Sequence, residues 1–416
     1  MIRRTRILFA LVVLLVGADL KVGPYDRGAA AQQQSSDHWI TAWGSSQNGL
    51  GMTAVTNATV RMIARVTIGG DAVRIRLDNT YGTSPLTIGS ASVGLRVQGA
   101  ALAAGSNRQV RFNKNRAVTI PAGGSVQSDP VAIKVLAQTD LAVSLFIPEA
   151  NVRPSQHSGA QVTSYITPAG SADLTADEAP TSFTATTTSM FWLKAIDVSS
   201  ATSSGAIVAF GDSITDGTCS TVDGHDRWED WLAVRLALAD NTGRMHKAVV
   251  NEGIGGNTIT RAHIQPPPDS APGLERLDRD VLSHQGVTHV ILFMGTNDIR
   301  RDAPAAQVID GMQEIVTRVR AKGMKIVGVT IIPRHNRPPA ENNTGWDTAK
   351  TKIRNDVNRW MRTSKPFDAL IDLDAAVRDA QNADLIYEAF NCGDGIHPSP
   401  RGYFEMGRAV SLDLFR

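Results

Sequence analysis

The sequence predicts an α/β protein in two parts. Residues 32–200 read as an antiparallel β-sandwich, jelly-roll-like, and residues 201–416 as a three-layer α/β/α domain on a parallel sheet. Two observations carry this. From about Asp37 to Val198 apolar residues recur with period two between turn-rich pieces, as where Val73, Ile75 and Leu77 alternate with Arg74, Arg76 and Asp78. After the polar linker Ala201-Thr202-Ser203-Ser204-Gly205, short apolar runs alternate with longer stretches of helical period, the pattern of a parallel sheet covered on both faces.

The first residues stand apart from the fold. Arg3, Arg4 and Arg6 precede the apolar run Ile7–Val16, and Gly28-Ala29-Ala30-Ala31 follows, so residues 1–31 read as a secretory signal and the protein as secreted or periplasmic. The apolar run is shorter than the about 20 residues that span a bilayer. An uncleaved anchor is the alternative, and no other segment reads as transmembrane. With 42 Lys+Arg against 40 Asp+Glu the formal charge is +2, which offers no field for nucleic acid. A length of 416 residues, 42% of them hydrophobic, supports two domains.

In the first part, Val60, Met62 and Ala64 interleave with Arg61, Ile63 and Arg65. The turn Gly69-Gly70-Asp71 then predicts a hairpin with the Val73–Leu77 run. Further strands are expected at Leu86–Ile88, Val93–Val97, Val131–Val135 and Leu141–Ile147. In the second part the strands are Ala206–Phe210, Ala248–Asn251, His289–Met294, Lys325–Ile331 and Ala369–Leu373. A helix is expected from Asp226, with Glu229 closing a capping box and Trp228, Trp231, Leu232 and Leu236 on one face. Val308, Met312, Ile315, Val316 and Val319 mark a second helix. Trp346, Ala349, Ile353, Val357 and Trp360 mark a third, and Tyr403 to Leu412 a last.

Four short motifs fall at or after the expected strand ends. They are Gly211-Asp212-Ser213, then Asn251-Glu252-Gly253-Ile254-Gly255-Gly256-Asn257, Gly295-Thr296-Asn297-Asp298 and Asp394-Gly395-Ile396-His397-Pro398. In a parallel sheet such ends share one rim, where open α/β sheets bind ligands. Cys219 lies close after Ser213 and Cys392 close before His397. If the flanking motifs meet, the two cysteines are neighbours and a disulfide is expected, two free thiols being the alternative.

These four blocks, in this order, resemble the SGNH (GDSL) hydrolase superfamily of serine esterases and acylhydrolases over residues 205–416. The resemblance implies Ser213 as nucleophile, with Asp394 and His397 as its partners. Gly256 and Asn297 would donate to an oxyanion with the Ser213 N–H. The serine block normally lies near the mature N-terminus; here a β-rich region precedes it, similar to the accessory domain of some secreted bacterial members.

The chemistry explains the residue types. A serine hydroxyl needs a base, and a histidine needs a carboxylate to fix its tautomer. The oxyanion formed on an ester carbonyl needs preset donors. Asp212 and Asp298 read as braces for their own turns. His157, in Gln156-His157-Ser158-Gly159, reads as a surface-loop histidine rather than one reaching the cleft. Trp39 and Trp43 read as packing rather than sugar-binding residues. His38, His225, His246, His263, His284, His289 and His335 show no metal-ligand spacing, and no nucleotide motif is present. The expected activity is that of a secreted serine esterase without cofactor or metal. Its expected substrates are short-chain esters, acetylated polysaccharides or oligosaccharides foremost. A general esterase or lipase, a sugar O-acyltransferase and a non-catalytic carbohydrate-binding protein are the rivals.

Overall fold

The strands Gly205–Gly211, Lys247–Gly253, Val287–Phe293, Lys325–Val329 and Ala369–Ile371 pair in parallel as one sheet, with Lys247–Gly253 at one edge and the others following in chain order. A computed structural model describes residues 38–239, 246–262, 269–334 and 345–416. The signal-like segment 1–31, His263 and His335 lie outside them. The helices are α1 (Ser213–Asp216), α2 (Trp228–Ala239), α3 (Gly273–Leu277), α4 (Thr296–Arg300), α5 (Ala305–Ala321), α6 (Thr348–Ser364), α7 (Leu373–Val377) and α8 (Pro400–Ala409).

The apolar runs of these strands are continuous because both faces are covered. Ile207, Ala209, Val249, Ile291 and Phe293 pack with Trp228 and Leu232 of α2 and Tyr403 and Met406 of α8. Their neighbours Ala206, Val208, Phe210, Val290 and Leu292 turn the other way, toward Met312 and Ile315 of α5 and Val357 and Met361 of α6. Each fully buried aliphatic side chain stabilises the fold by about 1.5–3 kcal/mol relative to exposure.

The part before Gly205 is antiparallel. One sheet runs in the order Trp39–Gly44, Leu193–Ser199, Gly70–Asp78, Ser125–Gln127. A second holds Ala58–Val66 between Ser164–Ile166 and Thr139–Ile147, with Ser90–Gln98 beyond. The expected hairpin is therefore absent: Ala58–Val66 and Gly70–Asp78 belong to different sheets. Both strands are buried along most of their length and have other partners on each edge, so the link Thr67-Ile68-Gly69 crosses between sheets. Arg61, read as alternating with core residues, is itself buried. Its guanidinium donates to Ser144 Oγ (2.8 Å) and the Ala100 carbonyl (2.6 Å) and lies 4.1 Å from the Phe183 ring. Trp39 and Trp43 are half-buried, Trp39 beneath the Arg74 guanidinium at 4.5 Å.

The two parts share one hydrophobic cluster, and residues Asp37–Arg416 form a single unit. Across their junction the Val249 N–H donates to Thr67 Oγ (3.0 Å) and the Thr41 N–H to the Gln285 carbonyl (3.1 Å). The capping box expected at Asp226 and Glu229 is not formed. The helix starts at Trp228, and Glu229 is buried, accepting from the Asn251 side-chain amide on the neighbouring strand. Trp231 is only half-buried, edge-on to Phe404. The last helix ends at Ala409 rather than Leu412. No helix is long and apolar enough to cross a membrane among the described residues.

Candidate active site

Strand register brings three of the motifs to one level. Gly211 is level with Gly253 on one side and Phe293 on the other. Ser213, Gly256 and Asn297 follow those ends by a few residues. Ser213 opens α1, and Asp212 caps that helix by accepting from the Ile214 N–H at 3.0 Å. The first N–H groups of a helix have no partner within it, so the Ser213 amide remains available as a donor. Burial pushes the Asp212 carboxyl up to about 6, against the Ile214 hydrogen bond.

The second block depends on two glycines for different reasons. A Cβ at Gly253 would stand 2.2 Å from the Asp216 backbone nitrogen, so only glycine lets this strand end lie against α1. Gly256 sits at φ +70°, while a Cβ there would meet nothing within 4 Å. Backbone conformation, not lack of room for a side chain, favours glycine at 256. Among the described residues the Gly256 N–H has no hydrogen-bond partner.

Asn297 lies in α4, 4% exposed. One hydrogen of its side-chain amide goes to the Asn257 carbonyl (3.1 Å), which ties it to the second block and leaves the other hydrogen to the cleft. Asp298 braces a different segment from the one expected. Its carboxyl accepts from the N–H groups of Ile259 (2.9 Å) and Thr260 (3.2 Å), and burial pushes it up to about 7 despite those bonds.

The fourth block closes the arrangement. Asp394 Oδ1 accepts from the N–H groups of Ile396 and His397, both at 2.8 Å. Asp394 Oδ2 is 2.5 Å from His397 Nδ1, and His397 Nε2 is 2.8 Å from Ser213 Oγ. A carboxylate only accepts, so Nδ1 carries the hydrogen and Nε2 faces the hydroxyl as an acceptor. Burial works to raise the Asp394 carboxyl, but the bonds from His397 and Ile396 outweigh it and hold it below its usual value. Cys219 and Cys392 are joined by a disulfide with Cα atoms 6.3 Å apart. The Cys392 N–H donates to the His397 carbonyl (3.0 Å), so the bridge anchors the loop that carries the imidazole. Among the described residues the one cluster with metal-ligand proximity is Cys219, Cys392 and Asp394, and its two sulfurs are bonded to each other.

Arg276 of α3 belongs to no motif, yet it holds two blocks together. It is 1% exposed. Its guanidinium donates to the Gly211 carbonyl (2.9 Å), the Glu252 carbonyl (2.9 Å), Asn257 Oδ1 (3.0 Å) and Ser46 Oγ (2.8 Å). His157 is likewise not a surface residue. It is 3% exposed, with Nε2 2.9 Å from Asp216 Oδ1 and Nδ1 2.6 Å from the Ser46 carbonyl. The short strand Ser155–His157 pairs on both edges, which turns the imidazole inward. Only the isolated apolar neighbours Leu274 and Leu277 mark Arg276 in the sequence, and nothing local marks the partner of His157.

By its family match the second part of the chain is a carboxylic ester hydrolase. Residues 209–403 match the GDSL-like lipase/acylhydrolase family, and the chain belongs through this part to the SGNH/GDSL superfamily. Solved structures similar to the chain include a carbohydrate acetylesterase from Sinorhizobium meliloti (19% identity, 50% of this chain and 97% of that one, TM-score 0.39). Others are the inhibitor-bound aryl esterase of M. smegmatis (20%, 51% and 99%, TM-score 0.40) and a member of the lipolytic G-D-S-L family from Veillonella parvula (19%, 50% and 97%, TM-score 0.35). No curated protein matches the chain.

Proposed function

We propose that this protein is a serine esterase that cleaves short-chain carboxylic esters, acetyl esters of carbohydrates foremost, with Ser213, His397 and Asp394 as its catalytic residues. The observation that carries the reading is the unbroken contact chain from Ser213 Oγ through His397 to Asp394, at 2.8 and 2.5 Å. His397 Nε2 takes the hydroxyl proton as Ser213 Oγ attacks the ester carbonyl carbon. Asp394 holds the Nδ1 hydrogen and stabilises the imidazolium. The oxyanion is met by the N–H groups of Ser213 and Gly256 and the Asn297 amide. The imidazolium returns its proton to the leaving alcohol. Water, activated by the same imidazole, then releases the carboxylic acid from the acyl-enzyme.

In this reading residues 1–31 are a signal that directs the chain outside the cytoplasm, 32–200 a jelly-roll-like accessory sandwich and 201–416 the hydrolase domain. No cofactor takes part. The test is hydrolysis of p-nitrophenyl acetate, butyrate and octanoate, and acetate release from acetylated xylan, by wild type and Ser213→Ala. Acetate is expected to be preferred among the simple esters, with release from xylan and both activities lost in the variant. Equal turnover by the variant would remove Ser213 from the mechanism. A preference for octanoate would remove the short-chain assignment.

A further inference from the structure

We propose that His157, supplied by the antiparallel part, is a positioning residue for the oxyanion loop and acts through Asp216. The inference rests on the reading of Ser213 and Gly256 given above.

The geometry fixes the charge of the pair. The Ser46 carbonyl can only accept, so His157 Nδ1, 2.6 Å away, bears a hydrogen. Asp216 Oδ1, 2.9 Å from Nε2, also accepts, so the ring is an imidazolium facing a carboxylate. Burial works to lower the basicity of His157, but the charge and hydrogen bond of Asp216 and the Ser46 carbonyl outweigh it and raise it above its usual value.

The other oxygen of the same carboxylate does the positioning. Asp216 Oδ2 accepts from the Gly255 N–H at 2.9 Å. Gly255 immediately precedes Gly256, and Asp216 lies on α1 with Ser213. One carboxylate thus sets the distance between the two backbone donors assigned to the oxyanion. Gly255 itself is exposed, and its own N–H is held by Asp216, while Arg301 holds the Gly256 carbonyl (3.1 Å) and Asn297 the Asn257 carbonyl (3.1 Å).

Asp216 has an alternative partner. His157 and Asp216 line a small cavity together with Trp43, Arg65, Arg227 and Glu229; Asp230 also faces it, as does His225, whose basicity burial lowers. Its volume is about 50 Å³. Without the imidazolium the buried carboxylate is drawn toward Arg227 and releases the Gly255 N–H. His157 therefore does more than fill space: it decides which way Asp216 turns. The hydrolase half is incomplete without the strand that carries it.

The experiment compares full-length wild type, His157→Ala, His157→Gln, Asp216→Asn and Ser213→Ala on p-nitrophenyl acetate. Inhibition by a short alkylboronic acid, which forms a tetrahedral serine adduct, is measured in parallel. Displacing an oxyanion donor without deleting it is expected to lower kcat about 10- to 100-fold in H157A, with KM within about twofold. H157Q, which can still donate to Oδ1, recovers part of the loss. D216N resembles H157A, and boronate affinity falls in step with kcat. If S213A retains activity, the reading of the site fails first. If S213A is inactive while folded H157A turns over within twofold of wild type, or changes KM alone, the proposal is overturned and the site reading stands. Loss of the folded state in H157A, H157Q and D216N alike also overturns it, because the pair is then structural.

Discussion

Replacing Arg276 by methionine tests how the strand ends are held. The substitution keeps most of the side-chain volume and removes a buried guanidinium that donates to four acceptors besides Asp280. Each buried acceptor left without its donor costs about 1–3 kcal/mol, and local relaxation recovers part of that. Asp280, 3.4 Å from Arg276, is not left as an orphan charge. Arg279 reaches it at 2.6 and 2.7 Å, and against the effect of burial these contacts hold its carboxyl down at about 2. The loss should therefore fall at the lower end of the range for breaking a buried ion pair, about 3–4 kcal/mol. Reversible urea unfolding is the assay. At a slope of about 3 kcal/mol/M the midpoint drops by about 1 M. The Gly211 carbonyl precedes Asp212-Ser213 and Asn257 follows Gly256, so kcat on p-nitrophenyl acetate falls as well at temperatures where the variant is folded. A loss below about 1 kcal/mol with unchanged kcat would refute the claim that this guanidinium sets the two strand exits.

Asn297→Ala should lower kcat about 100- to 1,000-fold with little change in KM, because the amide matters most when charge develops on the carbonyl oxygen; a change confined to KM counts against that role. Replacing Cys219 and Cys392 by serine opens a link across 173 residues of sequence. It should cost about 2–5 kcal/mol in urea unfolding and lower kcat through the His397 loop, and unchanged values of both would contradict the anchoring role. The His157–Asp216 pair makes stability depend on pH. His157 is held above its ordinary 6.5 in the folded protein, so its contribution is complete below pH 6.5 and disappears as pH rises through the folded value. Asp216 and the Ser46 carbonyl favour the charged ring, while Arg227 opposes it. The stability gap between wild type and H157Q should narrow from pH 6 to pH 9, and a gap that widens would reverse the assigned charge.

The parallel half was legible because its signals are local. Each strand is one apolar run, and the first three blocks follow their strands directly, so the register that levels Gly211, Gly253 and Phe293 comes with the topology, whereas Asp394 lies well beyond Ile371. The antiparallel half was less so. A period-two strand buried on both faces does not say which sheet it joins, and Gly69-Gly70 looked like a hairpin where the chain changes sheets. Long-range polar pairing was invisible. Glu229 left its capping position for Asn251, and Asp298 reaches beyond its own turn to the Ile259–Thr260 amides. Arg276 and His157 act on the site from elements with no motif, because burial and partners decide the role of a charged side chain and neither is written in its immediate neighbours.

The most direct test of the account is covalent trapping. Incubation with a fluorophosphonate, digestion and mass spectrometry should find one adduct, on the peptide bearing Ser213, formed in proportion to the loss of p-nitrophenyl acetate hydrolysis. Labelling should drop sharply when His397 is replaced by alanine. Full inactivation with the adduct on another residue, or undiminished labelling of Ser213 without the imidazole, would contradict it.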